Sequence, residues 1–296
     1  MVVGIFVVLA FCGLGTIGGI TWAVMSTNSM DGWDTSFGSA VGIVRLEGVI
    51  SGSGTGDATP ERVIRQLRKA LDDDSVKAIV IRVESPGGTV AASEEIALAV
   101  KDARADKPIV ISIGDQGASG AYMVSSQASK IFALPGSSVG SIGVIAEVPN
   151  LEGLLKKLGV EFAVITAGKY KGAGNPFEPL TDEERDLIQK DVDEVYNQFI
   201  DIVADGRKMP RSEVESLATG WAWNGSTAKE LGLVDEIGGF SDAIDAAAKL
   251  GGISGSPRLV EFDEYNPAEL FGSLVGQQGV GGLLPSKEKL PASLPR

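Results

Sequence analysis

The chain has 296 residues, 26 Lys and Arg against 39 Asp and Glu for a net charge of −13, one cysteine and no histidine. Without histidine a Ser-His-Asp or Cys-His nucleophile cannot be assembled and the imidazole ligands of most zinc and non-haem iron sites are missing, while a single cysteine excludes a disulfide within the chain. The acidic balance works against broad, phosphate-driven nucleic-acid binding, which needs clustered Lys and Arg.

The first predicted element is a transmembrane signal anchor over 1–26. Residues 2–25 carry no charge, and at about 1.5 Å rise per residue they make a helix long enough to cross a hydrocarbon core of roughly 30 Å. A cleaved signal peptide would need a basic leading region and a shorter apolar core, and no Lys or Arg precedes Arg45. Cys12 lies inside this run and is expected to pack as a small hydrophobe; its lipidation is the rival reading, which the bulky Phe11 before it fits poorly. Gly15 and Gly19 form a G-x-x-x-G pair, a pattern that chance supplies in so glycine-rich a stretch. Charge leaves the orientation open, because basic residues are absent near both ends.

A polar juxtamembrane linker over 27–40 leads into a domain over 41–271, in which strand-like apolar runs alternate with helical patterns, the signature of an α/β domain with βα units. Strands are expected over 41–46, 78–83, 109–113, 131–133, 142–145 and 162–165. Between them, Val63, Leu67 and Leu71 recur every four residues after Thr59-Pro60, a capping residue followed by proline at the first helical position. A second helix is expected from about Ala92. The longest starts at Thr181, whose Thr-x-x-Glu184 is a capping box, and runs to Gly206 with Ile188, Val192, Val195, Phe199 and Ile202 on a face that reads as core. From 272 to 296 the composition turns to Gly, Pro, Leu and Ser, a flexible tail. Residues 52–56 are glycine-rich but lack the lysine and the strand-to-helix setting of a phosphate loop, and no motif calls for a cofactor or a metal.

Three glycine-rich segments follow predicted strands, where α/β folds present reactive groups. Glu84-Ser85-Pro86-Gly87-Gly88 is either a plain turn or a loop whose bare backbone N–H groups can approach a ligand. Gly114-Asp115-Gln116-Gly117-Ala118-Ser119-Gly120-Ala121 places Ser119 between small residues at a strand-to-helix turn. There it either caps the helix or presents its hydroxyl as a nucleophile. Thr166-Ala167-Gly168-Lys169-Tyr170-Lys171-Gly172-Ala173-Gly174 holds lysines that are either solvated loop charges or, in a chain without histidine, the base for a serine, provided burial lowers a pKa from about 10.4 towards neutrality. A Ser-x-x-Lys at Ser286 and Lys289 sits in the tail with no helix to align it.

At these residues the sequence resembles the signal peptide peptidase A family, membrane-anchored serine proteases with a Ser-Lys dyad on the Clp protease/crotonase fold of repeated ββα units. The resemblance covers roughly 41–250 and rests on Ser-Pro-Gly-Gly at 85–88, Ala-Ser-Gly at 118–120, Gly-Ser-Ile-Gly-Val at 140–144, and Gly-Lys-Tyr-Lys at 168–171 ahead of Asn-Pro-Phe-Glu-Pro-Leu-Thr. The spacing from Ser119 to Lys171 is similar to that of the short, single-domain members. The resemblance implies Ser119 as nucleophile, Lys171 as general base, the amides of Gly88 and Gly120 as oxyanion hole, and Ser141 as the group that orients Lys171, with Lys169 as the alternative base. It implies an obligate homo-oligomeric ring, with an octamer as the size put forward, in which serine and lysine come from neighbouring subunits. It further implies a single-pass protein of the cell membrane with its protease domain on the extracytoplasmic side, and substrates such as cleaved signal peptides and other short, unfolded apolar peptides.

Two departures from the family pattern stand out. Gly172 follows Lys171 where an acidic residue or serine is common, and Asp115 with Gln116 gives the lip of the site a more polar character that bears on substrate choice. Rival readings are a stomatin-operon partner type of Ser-Lys membrane protease, acyl-CoA chemistry on the same fold, which needs no Ser-Lys pair, and a non-catalytic membrane scaffold.

Overall fold

The computed structural model describes residues 38–52 and 58–262. The expected anchor over 1–26, most of the linker, the greater part of the 52–56 segment and the tail over 272–296 lie outside these residues. Among the described residues no helix is long and apolar enough to cross a membrane.

In chain order the elements are β1 (Ala40–Glu47), α1 (Pro60–Asp72), β2 (Val76–Ser85), α2 (Val90–Asp106), β3 (Ile109–Ala118), α3 (Gly120–Ser125), β4 (Lys130–Ala133), β5 (Ser138–Gly140), α4 (Glu152–Leu158), α5 (Asp182–Arg207), α6 (Arg211–Leu217), β6 (Ala222–Asn224), α7 (Gly225–Glu230), β7 (Glu236–Ile237), α8 (Phe240–Leu250) and β8 (Arg258–Glu261). The strands form one sheet in the order β6-β5-β3-β2-β1-β8, with β4 paired to β3 and β7 paired to β4. Every pairing is parallel except β5 with β6.

The apolar runs at 41–46, 78–83 and 109–113 are near-continuous because a parallel sheet with helices on both faces buries both sets of alternating side chains. Val44, Leu46, Ile79, Ile81, Val83, Ile109, Ile111 and Ile113 point into the larger core, shared with α1, α2, α3 and the end of α5. Val41, Ile43, Ala78, Val80 and Val110 point the other way, onto Ala243, Ala247 and Ala248 of α8. The helix starts match their sequence signals. The Thr59 hydroxyl accepts from the Arg62 amide at 3.3 Å with Pro60 at the first position, and Thr181 and Glu184 cap each other reciprocally. α2 begins at Val90, slightly before the expected position.

Two expected strands are not formed. Residues 142–145 and 162–165 are neither strand nor helix, and Ile145 and Ile165 are 84% and 95% exposed. Their apolar composition suits a strand, but a strand needs a ladder partner, and among the described residues none lies beside them. The short β5 over 138–140 forms instead, where Gln116, Gly117 and Ala118 of β3 offer an edge. α5 also departs from the expected core helix: Phe199, Ile200 and Val203 are buried, whereas Ile188, Val192 and Val195 remain partly open.

The buried end of α5 is tied down electrostatically. Arg207 donates to both carboxylate oxygens of Asp235 at 2.7 and 2.9 Å, and the Ile131 amide of β4 donates to the same carboxylate at 2.7 Å. The Arg207 side chain is only 8% exposed, so Asp235→Ala leaves a cation without its partner in a poorly solvated place. We expect this variant to lose about 3 kcal/mol of stability, read as a lower urea midpoint at unchanged slope.

Candidate active site

The first wall of the site is the turn after β2. The Gly87 amide donates to the Ser85 hydroxyl at 3.1 Å, and Ile50 brackets the turn, its amide donating to the Gly87 carbonyl and its carbonyl accepting from the Thr89 amide, both at 2.9 Å. Ile50 approaches so closely that a β-carbon on Gly88 would lie 1.8 Å from its carbonyl oxygen. Position 88 therefore takes only glycine. The Gly88 amide donates to no described residue.

The second wall is the turn from β3 into α3. Ser119 has φ 52° and ψ −126°, a conformation that L-residues rarely adopt, and its side chain makes no capping hydrogen bond. The capping reading of Ser119 is thereby corrected: its carbonyl accepts from Tyr122 and Met123, its amide donates to Gly140 at 2.7 Å, and its hydroxyl is left for other work. Such backbone strain at a strand-to-helix turn is the device that lifts a nucleophile clear of its own helix. The next amide, Gly120, also donates to no described residue. A side chain starting at Gly120 would begin 3.4 Å from the Gly88 nitrogen, so two unspent donors lie close together on the cleft that Ser119 also lines, and a pair of free amides is what an oxyanion needs.

Ser141 is the second strained serine, with φ 51°. Its amide donates to Trp221 at 2.9 Å and its hydroxyl to the Gly220 carbonyl at 3.1 Å. Having spent its proton, that oxygen keeps lone pairs for an incoming N–H donor. Gly88, Ser119, Gly120 and Ser141 all line one cleft of about 640 Å³, whose apolar walls include Met123, Val192, Tyr196 and Phe199. Below it, Tyr122 fixes α3 by donating to the Leu233 carbonyl at 2.9 Å. Burial pushes this phenol well above its ordinary pKa, so it serves as a neutral strut.

Lys171 is not brought to this cleft. It lies on an exposed turn over 167–174 and is absent from the cleft walls. Lys169, two residues earlier, is committed elsewhere. Its ammonium pairs with Glu183, which also accepts from the Tyr170 hydroxyl, and it lies 4.9 Å from the Tyr170 ring centre. The Glu183 carboxylate and then the Tyr170 hydroxyl push its pKa up, the wrong direction for a base. Both lysines belong to a stretch over 145–171 where Ile145, Leu154, Leu158, Phe162 and Ile165 are exposed.

The sequence reading missed Ser93 and the open half of α5. Ser93 is fully buried, donates to the Thr89 carbonyl at 2.8 Å, and backs Gly120 so closely that a β-carbon there would lie 2.1 Å from its oxygen. A serine on the buried face of α2 was its one signal. The side chains of α5 that wall the cleft carry the same apolar spacing as a core helix, so nothing local distinguishes them. The side chains of Asp115 and Gln116, expected at the lip, do not line the cleft. Among the described residues no cluster of Cys, Asp and Glu is placed to hold a metal ion.

The profile of peptidase family S49 matches residues 101–254, and that of Clp protease matches residues 40–140. A Methanocaldococcus jannaschii protein provisionally named a protease is 41% identical, over 74% of this chain and 71% of its own length. Protease 4 of Haemophilus influenzae is 38% identical over 71% of this chain and 34% of its own. An Enterococcus faecium protein provisionally named signal peptide peptidase SppA is 40% identical over 64% of this chain and 55% of its own. The chain thus spans about a third and about half the length of the latter two.

Proposed function

This chain belongs to peptidase family S49, of the signal peptide peptidase A type, and we propose on that footing that it is a membrane-anchored serine endopeptidase with a Ser119–Lys171 dyad. The observation that carries the reading is the strained Ser119, with an uncommitted hydroxyl beside the unspent amides of Gly88 and Gly120. In the proposed reaction neutral Lys171 takes the Ser119 proton, the hydroxyl oxygen attacks a peptide carbonyl, and the two amides hold the oxyanion. The protonated lysine then gives its proton to the leaving amine, and water deprotonated by the same lysine hydrolyses the acyl-enzyme. Ser141 accepts an N–H of Lys171 and aims its lone pair.

A lysine serves as such a base where burial disfavours its charged form. The exposure of Lys171 and of the apolar side chains around it therefore supports a site completed by a second copy, as a homo-oligomeric ring, with an octamer as the proposed size. Apolar surface that one chain leaves bare is what such an interface would bury. The uncharged run over 2–25 supports a single-pass anchor, and the resemblance to the signal peptide peptidase A family, not the run itself, is the ground for putting the protease domain on the extracytoplasmic side of the cell membrane. The apolar side chains of Met123, Val192, Tyr196 and Phe199 along the cleft suit cleaved signal peptides and other short, unfolded apolar peptides.

The test is hydrolysis of a synthetic signal peptide by the full chain in detergent micelles. Cleavage is expected from wild type and, within about fivefold, from Lys169→Gln, since a lysine held protonated by Glu183 supplies no base. An inert wild type would overturn the protease reading in favour of a scaffold. Loss of activity in Lys169→Gln with retention in Lys171→Ala would transfer the base to Lys169.

A further inference from the structure

We propose that Glu84 is a positioning residue: its carboxylate holds the β3 bulge that aims Ser119 at the Gly88 and Gly120 amides. The inference rests on the protease reading and adds to it a group that touches neither substrate nor the reacting atoms.

The register between β2 and β3 breaks one residue before the Ser-Pro-Gly-Gly turn. Val83 faces Ile113 and Ser85 faces Gly117, so Gly114, Asp115 and Gln116 stand against Glu84 alone. A bulge of this kind leaves backbone donors without ladder partners and bends the strand that carries it. Glu84 meets both donors. One carboxylate oxygen accepts from the Asp115 amide and the other from the Gln116 amide, each at 3.0 Å. The carboxylate is backed by Arg82, 3.9 Å away, whose other nitrogen donates to Ser112 at 3.0 Å. It sits so close under the bulge that a β-carbon on Gly114 would lie 1.9 Å from its oxygen, which is why a residue without a side chain stands there. From the other side the Ser137 hydroxyl donates to the Gly114 carbonyl.

The consequence lies further along β3. Up to Ile113 the strand pairs with β2 on one side and β4 on the other; from Gln116 to Ala118 β5 replaces β4, while Gly117 still faces Ser85 of β2. Ser119 follows directly, and its amide is fixed by Gly140 at the end of β5. The bulge thus shifts β3 from one neighbour to another at the last moment before the nucleophile. Glu84 itself lies at the end of β2, immediately before the turn that supplies the Gly88 amide. One side chain therefore sets the distance between the two walls of the site. It also assigns a use to Asp115 and Gln116 that their side chains concealed: their backbone amides matter, and the side chains do not.

The experiment compares wild type, Glu84→Gln, Glu84→Ala and Asp115→Ala in full-chain form, with two peptide substrates of unrelated sequence. Amide hydrogen exchange over 113–119 is measured in parallel. Glu84→Gln retains one acceptor and turns an N–H₂ on the other amide; Glu84→Ala removes both. Since an error of about 1 Å in placement costs on the order of 100-fold, kcat is expected to fall about 10-fold in Glu84→Gln and about 100-fold in Glu84→Ala. KM should stay within about threefold, the factor should be the same for both peptides, and the 115 and 116 amides should exchange faster. Asp115→Ala should match wild type. A Glu84→Ala enzyme with wild-type kcat, or a loss carried by KM and differing between peptides, would overturn the proposal. If wild type itself hydrolyses neither peptide, the protease reading fails. The exchange data then still decide whether Glu84 holds the bulge, because unchanged exchange in both Glu84 variants would reject it.

Discussion

Replacing Ser119 with alanine is expected to lower kcat for peptide hydrolysis by about 10⁴-fold or more, the scale seen when a nucleophile is removed and only the oxyanion site and binding remain. The variant should fold normally, because the Ser119 side chain caps nothing and alanine keeps the volume of its β-carbon. A companion variant separates catalysis from strain. At φ 52° and ψ −126° a residue with a β-carbon is held in a conformation costing roughly 1–3 kcal/mol, and glycine adopts it freely at some cost in unfolded-state entropy. Ser119→Gly should therefore be equally inactive yet more stable than wild type by about 1 kcal/mol, or about 2–4 °C in Tm. A stability gained by deleting this side chain would mark a residue whose geometry is maintained for function. Should Ser119→Ala retain substantial activity, another nucleophile must be sought; should Ser119→Gly be the less stable, the strain argument fails.

Lys171→Ala and Ser119→Ala, each inactive alone, are expected to regain activity when co-expressed. If the site draws serine from one copy and lysine from its neighbour, a random mixture of the two variants leaves a fraction of interfaces with both groups intact. That fraction is about a quarter of the wild-type number, as one half of one half, for head-to-tail interfaces in a closed ring. The expectation follows from where the single chain leaves its groups. Ser119 and Ser141 share a cleft, Lys171 stands exposed outside it, and Lys169 is bound to Glu183. The measurement is the turnover of tagged, doubly purified mixed assemblies, with their composition fixed by native mass. No recovery in assemblies shown to be mixed would mean that both groups act within one chain, and an active Lys171→Ala alone would discard the dyad.

The parts of this protein that were legible from residue order are those whose causes are local. Thr59-Pro60 and Thr181-x-x-Glu184 announce helix starts because the capping groups satisfy amides within the same turn, and both caps form. The runs at 41–46, 78–83, 109–113 and 131–133 are strands because mostly apolar stretches, rich in Val and Ile in the first three, suit a sheet covered on both faces. Ser119 between small residues after such a run already pointed to an exposed turn, and the absence of histidine directed attention to lysine.

What only the tertiary structure decided depends on partners far away in the chain. Residues 142–145 and 162–165 have strand composition but, among the described residues, no neighbour to pair with, so composition alone does not decide them. The half of α5 that walls the cleft and the half that fills the core carry one apolar spacing, and only what packs opposite tells them apart. Glu84 reads as an ordinary turn-flanking charge until the β2–β3 register shows three residues of one strand set against it. Local propensity and capping act over a few residues and can be read in order, whereas strand pairing, burial and the meeting of the Gly88, Ser119 and Ser141 turns at one cleft are settled by contacts between distant segments, which residue order does not record.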